Sequence, residues 1–306
     1  MSTALPIDVR PVVAEAILAG RPVVALETTV MTHGLPRPAG LDSARDCEEI
    51  VREAGAVPAT VGVMRGRLVV GLHNEELAEL ANSNESVKVN LGNIAAAIVK
   101  GQYGGTSVST TILAAHRAGI RVVATGGIGG VHRGFGETLD ISSDLTAMQH
   151  ASVVLVSAGA KSILDVAATR EQLETRGIPV IGFQTDHFPL FFCGGSAIGV
   201  DCRADSPKEV AAIYRTHRSL GFPGTVLAVA DPPAADALPH DVLEEAVRGA
   251  LGEAERRGIS GRALTPFILE RVQRATEGAS LRANLSLLRN NCQIAAEIAR
   301  ELAACG

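Results

Sequence analysis

The chain has 306 residues, of which 46% are hydrophobic and 20% are charged, and its formal net charge is -5. This balance allows a large apolar core, and no stretch resembles a membrane span, so a membrane is not an expected partner. The 28 Lys and Arg residues form no basic stripe among 33 Asp and Glu residues, and aromatic residues make up only 3%. A nucleic acid polymer is therefore excluded as an expected partner.

Cysteine usage and the first residues predict a cytoplasmic protein. The five cysteines are far apart and include no Cys-x-x-Cys pair: Cys47, Cys193, Cys202, Cys292 and Cys305. An odd, scattered set of this kind is typical of thiols kept reduced in the cytosol. The segment Met1 to Asp8 has neither the positive region nor the apolar region of a secretion signal, so we expect a cytoplasmic location.

Short apolar runs alternate along the chain with longer segments of helical periodicity. Six of these runs are predicted strands: Val23–Leu26, Ala59–Val63, Arg121–Ala124, Val153–Val156, Val180–Ile181 and Thr225–Val229. Alternation with helices indicates parallel strands, and runs that are apolar throughout indicate a sheet covered on both faces. We therefore expect an α/β fold, a three-layer α-β-α sandwich with a mostly parallel central sheet.

The alternation of single apolar runs with helical segments changes in two places. Met64–Gly71 suggests a turn followed by one antiparallel strand. The last third of the chain is predicted to be helical, in four segments: Ser206–Leu220, His240–Arg257, Thr265–Thr276 and Leu281–Ala303. No Ser-, Pro- or Gly-rich linker divides the chain, so residues 1–306 are expected to form a single domain.

Residues with chemical potential follow the predicted strands. Glu27 follows the first strand. The run Gly126-Gly-Ile-Gly-Gly130 with His132 follows the third, and Lys161 follows the fourth. Because ligands bind beyond the carboxyl ends of the strands in such sheets, we expect an acid, an amine, a histidine and glycine backbone to converge on one edge.

Lys161 is a candidate Schiff-base nucleophile. It stands between the apolar run that starts at Val153 and a helical pattern over Ser162 to Glu174. At a helix start, the positive end of the dipole and partial burial both disfavour the ammonium form, which makes the nucleophilic neutral amine accessible. The alternative is a solvated or anion-binding lysine. A phosphate loop fits less well, because Leu155 and Ala160 stand at its two glycine positions.

Glu27 and the segment Asp140-Ile-Ser-Ser-Asp144 are candidates for acid-base and metal chemistry. Glu27 ends an apolar strand, where loss of hydration raises a carboxyl pKa toward that of a general acid, and its alternative is a capping or ion-pairing role. Asp140–Asp144 offers the oxygen ligands that Mg²⁺ and Mn²⁺ prefer, but the same residues are typical of a helix cap. The glycine run fails the dinucleotide fingerprint at His132, so no Rossmann cofactor is expected.

Two further positions allow a binding or a structural interpretation. Ser107–Thr111 lies between a glycine pair and an apolar helical segment, which would direct amides and hydroxyls at an anion, with Lys88 adding charge. Ordinary helix capping explains the same pattern. In the last helix, Asn284 and Asn291 share one face with apolar residues. A buried amide there either binds backbone or presents a donor and an acceptor to a planar ligand such as a nucleobase.

A set of segments in a constant order carries a resemblance to a known family. It runs from about Pro11 to about Ala299 and comprises Glu27-Thr-Thr, His33-Gly-Leu-Pro-Arg-Pro, Gly126 to Gly134, Asp140 to Leu145, Ala158 to Asp165, Gly182-Phe-Gln-Thr185, Thr265-Pro-Phe267, Asn284 and Asn290-Asn291. With these segments the chain resembles the pseudouridine-5'-phosphate glycosidase family, also called indigoidine synthase A-like. An ordered set of this length is highly specific.

The resemblance implies an activity, a metal and an assembly. It implies reversible cleavage of pseudouridine 5'-phosphate to uracil and ribose 5-phosphate, with one Mn²⁺ per subunit, in a homotrimer. It further implies that Lys161 forms an imine with C1' of the ring-opened sugar, that Glu27 donates a proton and that Asp140 binds the metal. The substrate is expected to contact the remaining residues: Lys88, Val108, His132, Ser142, Ser143, Asp144 and Asn284.

This assignment agrees with the chemistry of the bond. A carbon leaving group departs less readily than an N-linked base, so water attack on an oxocarbenium ion is a poor route. An amine at C1' supplies an electron sink for carbon–carbon cleavage, with Glu27 protonating the ring oxygen or the base carbon.

One departure from the family pattern motivates an alternative function. After Lys88 the chain reads Val-Asn-Leu-Gly-Asn93, where the family often has two arginines. The alternative is a C-glycosynthase that joins ribose 5-phosphate to another aromatic acceptor in natural-product biosynthesis. A third interpretation is a non-catalytic sugar-phosphate binding protein, which the presence of Lys161 disfavours.

Overall fold

The computed structural model describes residues 7–259 and 264–304. Within these ranges the strands are β1 (Ile7–Val9), β2 (Val23–Leu26), β3 (Val57–Met64), β4 (Arg67–Val70), β5 (Val87–Val89), β6 (Gly104–Thr106), β7 (Val122–Ala124), β8 (Val154–Ser157), β9 (Val180–Phe183), β10 (Cys202–Ala204) and β11 (Val226–Val229).

The helices in the same ranges are α1 (Pro11–Leu18), α2 (Ala39–Glu53), α3 (Asn74–Asn82), α4 (Ile94–Val99), α5 (Val108–Ala118), α6 (Phe135–Thr138), α7 (Ser143–His150), α8 (Val166–Thr175), α9 (Pro207–Ser219), α10 (His240–Arg256), α11 (Leu264–Ala275) and α12 (Ala279–Ala303). A π-helical turn covers Val30–Gly34, after β2.

All strands belong to one sheet, which confirms the predicted fold class. The strand order is β1-β4-β3-β2-β7-β8-β11-β9-β10, and β5 joins through β6, which pairs with β3. In the described part of the chain, β4 and β6 run antiparallel to β3 and every other pair is parallel. The three-layer α-β-α arrangement with a helical C-terminal third is therefore correct.

Local chemistry explains several element boundaries. Arg65 and Gly66 join β3 to β4 with φ of 49° and 77°, the left-handed pair of a tight hairpin turn, so the predicted antiparallel strand is confirmed. Helix α9 begins where the Ser206 hydroxyl accepts the backbone N–H of Glu209 at 3.3 Å and Pro207 occupies the first turn.

The core explains why the central strands are apolar throughout. All residues of β2 and β8 are buried, because helices cover the sheet on both faces. The 25-residue helix α12 packs against β2, β7 and β8. Its buried stripe includes Asn284 and Asn291 beside leucine and alanine, as the helical period predicted.

The helix predicted over Ser162 to Glu174 begins later, at Val166. Asp165 caps it, with its carboxylate accepting the N–H of Ala168 at 2.9 Å. The preceding residues instead pair with the glycine loop, through a parallel bridge between Ile128 and Ala160. Tertiary pairing therefore outcompetes local periodicity, and the argument that placed a helix start at Lys161 is wrong.

The structure bears on the expected membrane spans and cysteine state only for the described residues. No helix within the described ranges is long and apolar enough to cross a membrane. Four cysteines are free: Cys47, Cys193, Cys202 and Cys292. The fifth, Cys305, lies outside the described residues. The single domain over residues 1–306 and the cytoplasmic location stay predictions.

Candidate active site

The structure brings all the predicted site residues to one cleft at the carboxyl edge of the sheet. The cleft has two compartments, which share Glu27, Lys88 and Lys161. The first is mostly apolar and includes Asn284. The second is polar, has a volume of about 340 Å³ and includes the remaining predicted residues: Val108, His132, Asp140, Ser142, Ser143 and Asp144.

Glu27 follows β2, and its carboxylate accepts a hydrogen bond from the hydroxyl of Thr125, which follows β7. Burial raises the pKa of Glu27 above its ordinary value, and the charge of Lys161 and the Thr125 hydrogen bond oppose this rise. The prediction that strand-end burial raises the pKa of Glu27 is therefore confirmed. A carboxyl group in this state holds its proton at higher pH, as a proton donor requires.

A loop held by backbone pairing positions Lys161. Gly159 has φ of +75°, and a Cβ there would lie 2.2 Å from the carbonyl oxygen of Pro189, so only glycine fits this turn. The backbone N–H of Lys161 donates to the carbonyl of Ile128 at 3.1 Å. Lys161 is thus anchored to the glycine loop rather than to a helix start, and it lines both compartments.

Lys88, on β5, brings a second amine to the cleft. Burial lowers the pKa of Lys88, the charge of Lys161 lowers it further, and the carboxylates of Asp144 and Glu27 oppose both effects. The pKa values of Lys88 and Glu27 therefore both depend on the charges of Lys161 and Asp144 across the cleft.

Asp144 and Ser142 have structural roles in the polar compartment. The carboxylate of Asp144 accepts the N–H of Ser109 at 2.9 Å and the N–H of Gly129 at 2.8 Å. The hydroxyl of Ser142 accepts the N–H of Asp144 at 3.2 Å and caps α7. The alternative interpretation of this segment as a helix cap is therefore correct for Ser142. The hydroxyl of Ser143 lies 3.1 Å from that of Ser109.

Of the two carboxylates in Asp140–Asp144, that of Asp140 is the more exposed. It is 37% exposed, and its Oδ2 lies 3.9 Å from Nδ1 of His132. Burial lowers the pKa of His132, and Asp140 opposes that shift. The described ranges contain no cluster of three His, Cys, Asp or Glu residues that could hold a metal ion. One free carboxylate beside hydroxyls fits a hard cation that keeps most of its ligands as water and substrate oxygens.

The two buried asparagines of α12 differ in their surroundings. The amide of Asn291 donates to the carbonyls of Thr125 and Gly126, at 2.8 and 3.3 Å. Asn284 is buried and lines the apolar compartment, and its Oδ1 has no partner within the described residues. Oδ1 of Asn291 also lacks a partner within the described residues, but Asn291 does not line the cleft. The alternatives for a buried amide thus divide: Asn291 binds backbone, whereas Asn284 has an acceptor available for a ligand in the cleft.

Packing explains much of the glycine run. A Cβ at Gly127 would lie 2.6 Å from the ring of Phe191, and one at Gly129 would lie 2.3 Å from the hydroxyl of Ser142. Close packing by side chains of the protein therefore requires glycine at these two positions, and both glycines also line the cleft.

Sequence reasoning missed Phe191, Thr125 and His33. Phe191 lines the apolar compartment from a backbone with φ of 65°, and nothing in its sequence neighbourhood signals this. His33 belongs to one of the segments that carry the family resemblance, but its sequence context predicts no role for it. Its Nε2 is 3.1 Å from the carbonyl of Ser86, and its Nδ1 is 2.7 Å from the hydroxyl of Thr32. Burial lowers the pKa of His33, so the ring is neutral and fixed at both nitrogens.

Comparison with known proteins identifies the family. Residues 12–301 match the family described as indigoidine synthase A like protein. A pseudouridine-5'-phosphate glycosidase 2 of Rhizobium johnstonii is 49% identical over 94% of this chain and 93% of that protein. A pseudouridine-5'-phosphate glycosidase of Caldanaerobacter subterraneus subsp. tengcongensis is 46% identical over 97% and 96%.

Solved structures share the fold. The prealnumycin C-glycosynthase AlnA, in complex with ribulose 5-phosphate, superposes with a TM-score of 0.90 at 38% identity, over 98% of this chain and 97% of that one. An indigoidine synthase A-like protein from Thermotoga maritima gives a TM-score of 0.90 at 39% identity, over 99% of each chain. The chain therefore belongs to the indigoidine synthase A-like family.

Proposed function

We propose that this member of the indigoidine synthase A-like family is an enzyme that reversibly cleaves the carbon–carbon glycosidic bond of pseudouridine 5'-phosphate, giving uracil and ribose 5-phosphate. Relatives at 49% and 46% identity carry the name of that activity. The observation that carries the proposal is that Lys161 and Glu27 both line the apolar and the polar compartment of the cleft.

The proposed reaction uses the two residues in sequence. The neutral amine of Lys161 attacks C1' of the sugar, the bond from C1' to the ring oxygen breaks, and Glu27 gives that oxygen a proton. The nitrogen is cationic after the attack and returns a proton to Glu27. Its lone pair then forms the imine as the C1'–C5 bond breaks, and Glu27 gives that proton to C5 of uracil. Water hydrolyses the imine, which releases ribose 5-phosphate and restores the amine.

The compartments match the two halves of the substrate. Asn284 has an unpartnered acceptor in the apolar compartment, where it suits an N–H on the edge of a uracil ring. In the polar compartment, we assign the sugar and phosphate contacts to Lys88, Val108, His132, Ser142, Ser143 and Asp144.

The divalent cation belongs to the same proposal. We assign Mn²⁺ to Asp140, whose carboxylate is 37% exposed. A bound cation supplies positive charge that neutralises substrate oxygens. The residues themselves position the sugar: His132 lies beside Asp140, and Asp144 holds the surrounding backbone.

The test is to trap the imine. The protein is incubated with ribose 5-phosphate and Mn²⁺ and reduced with borohydride, and the added mass is mapped by peptide mass spectrometry. We expect the adduct on Lys161 and none in Lys161→Arg, while Lys100→Arg, which removes an exposed lysine, keeps it. Equal labelling of wild type and Lys161→Arg contradicts the nucleophile. Absence of uracil release from pseudouridine 5'-phosphate contradicts the substrate.

A C-glycosynthase is the second candidate. Its support is the structural likeness to AlnA and the neutral wall of the polar compartment, where Asn90 and Gly92 line the cavity. Such an enzyme joins ribose 5-phosphate to another aromatic carbon and turns over uracil slowly. Uracil release by this chain at the rate of the Rhizobium johnstonii relative argues against it.

The oligomeric state is a separate part of the proposal. We infer a homotrimer, which predicts a mass of about three times the 31.7 kDa of the chain. Light scattering at several protein concentrations measures this mass, and a monomeric mass contradicts the inference.

A further inference from the structure

We propose that a second cavity, at the opposite edge of the sheet from the cleft, binds a phosphate-bearing small molecule. The cavity measures about 380 Å³ and lies at the amino ends of β7 and β8. Its lining includes His116, Arg121, Ser152, Arg215 and Arg218. It shares no residue with either compartment of the cleft, so the two sites are distinct.

Positive charge is concentrated in this cavity although the chain as a whole is acidic. Arg121, Arg215 and Arg218 line it and no Asp or Glu does, against a formal net charge of -5 for the chain. Within the described ranges, none of these arginines forms a salt bridge to a carboxylate. Guanidinium groups match the oxygens of a phosphate, and here three are available to one ligand.

Helix capping accounts for part of this cluster. Arg121 donates to the carbonyl of Leu302 at 3.4 Å, and Arg215 donates to the carbonyl of Glu301 at 3.1 Å. Both carbonyls belong to the last turn of α12, where basic residues are favourable. Each contact uses one of the five N–H groups of an arginine, and Arg218 takes part in neither. Donors therefore remain for an anion.

A buried hydroxyl points to a ligand independently of the charges. Ser152 lines the cavity, is only 5% exposed, and its Oγ has no hydrogen-bond partner in the described part of the protein. Its backbone N–H donates to Nδ1 of His116 at 3.3 Å. Because Nδ1 accepts, the hydrogen of the neutral ring is on Nε2, which is a further donor. A buried polar atom without a partner is unusual in a folded protein.

The neighbouring space has room for the organic part of such a ligand. A neighbouring cavity of about 330 Å³ adjoins the proposed phosphate cavity. The two share Gly119, Ile120, Arg121 and Leu302. Polar and apolar surface contribute about equally to the walls of the neighbouring cavity, and Arg21 stands in its lining. The combined space is in the range of small-molecule sites, so a phosphate ester fits better than a free anion alone.

The test uses the intact chain and inorganic phosphate as the probe. Equilibrium dialysis with radiolabelled phosphate counts the sites per chain and their affinities. We expect Arg218→Gln and Ser152→Ala to weaken one class of site about 10-fold, from the loss of a hydrogen bond to a charged group. Arg117→Gln is the matched control, because Arg117 is exposed and lies outside the lining. Lys88→Gln is expected to weaken the other class, in the cleft.

Two outcomes overturn the proposal. One is equal phosphate binding by the wild type, Arg218→Gln and Arg117→Gln. The other is a change in the mass of the assembly when Arg218 is replaced, because the arginines then belong to a contact between copies of the chain. Melting temperatures of all variants establish that each is folded. Failure of either kind leaves the glycosidase proposal unchanged, because imine trapping at Lys161 does not involve this cavity.

Discussion

The backbone N–H of Gly129 donates to Oδ2 of Asp144 at 2.8 Å. The other oxygen of the carboxylate accepts the N–H of Ser109 at 2.9 Å. One buried side chain therefore joins the glycine loop to the first turns of α5 and α7. A Cβ at Gly129 would lie 2.9 Å from the same carboxylate, so the close approach depends on glycine. Asp144 holds the polar wall of the cleft together.

Replacing Asp144 by Asn tests this role. The NH2 of the new side chain can only donate, so one of the two backbone N–H groups loses its acceptor. We expect the free energy of unfolding to fall by about 1–3 kcal/mol, as for a buried donor left unpaired. Urea denaturation measures it. The control is Asp165→Asn, at the cap of α8. Asn caps as well as Asp, so its change is expected to stay within about 0.5 kcal/mol.

The same substitution also tests the charges in the cleft. The carboxylate of Asp144 raises the pKa of Glu27 and of Lys88, so Asp144→Asn is expected to lower both. The limb of the kcat/KM profile that reports the ionisation of Glu27 is then expected to move to lower pH. An unshifted limb in a folded variant contradicts this coupling.

Thr125→Val is expected to shift the pH profile in the opposite direction. The Thr125 hydroxyl donates to the Glu27 carboxylate and lowers the pKa of that group. Without it, the pKa of Glu27 rises further above its ordinary value. Since the proposed proton donor is active when protonated, kcat/KM falls with rising pH through that pKa, and this limb moves to higher pH. The profile is measured as initial rates of uracil release.

A second buried threonine controls for general destabilisation. Thr225 donates its hydroxyl to the carbonyl of Ala151 at 2.7 Å, away from the cleft. Thr225→Val is expected to cost about 1 kcal/mol of stability and to leave the pH profile unchanged. If both valine variants move the profile equally, Thr125 has no specific influence on Glu27.

Sequence patterns predicted the sheet and the edge at which the site lies. Apolar runs between helical segments were sufficient, because burial on both faces makes every residue of β2 and β8 apolar or small. From that alternation it follows that Glu27 and Lys161 share one edge, since parallel strands end on the same side. The short strands β5 and β6, with three residues each, had no pattern long enough to detect.

The details of the site depend on contacts between distant segments. Nothing near Lys161 reveals that the helix after it begins at Val166, because pairing with the loop at Ile128 decides this. Likewise, Thr125 and Glu27 are 98 residues apart, and no local rule joins them. The sequence does not predict the proposed phosphate cavity for the same reason, because Arg121 and Arg218 come to line one cavity only in the folded chain.

Gly159→Ala is expected to damage both stability and activity. The residue has φ of +75°, and a Cβ there would lie 2.2 Å from the carbonyl of Pro189. Gly177→Ala is the control, because Gly177 has φ of +63° with nothing within 4 Å of an added Cβ. The control is expected to lose about 1–2 kcal/mol from the left-handed backbone alone. Thermal or urea unfolding measures the difference, and equal losses contradict the steric argument.

In Gly159→Ala, the clash adds roughly 1–3 kcal/mol more. It also displaces Lys161, two residues on, and a shift of about 1 Å at a reacting group lowers kcat roughly 100-fold. A folded Gly159→Ala protein with the kcat of the wild type shows that the loop adapts, and contradicts the view that Gly159 positions Lys161.

Asn284→Leu and Asn291→Leu separate a binding amide from a structural one. Both asparagines are buried on the same stripe of α12, and leucine has a similar size. Asn291→Leu removes the amide that donates to the carbonyl of Thr125, while the carbonyl of Gly126 keeps the N–H of Ala158 at 2.8 Å, so the substitution is expected to lower the free energy of unfolding by about 1–3 kcal/mol. Asn284→Leu removes an acceptor with no partner in the described structure, so its stability is expected to stay equal or rise. Its KM for the nucleotide is expected to rise about 10-fold, while the borohydride adduct with ribose 5-phosphate, which has no base, still forms. Loss of that adduct in Asn284→Leu places Asn284 on the sugar rather than on the base.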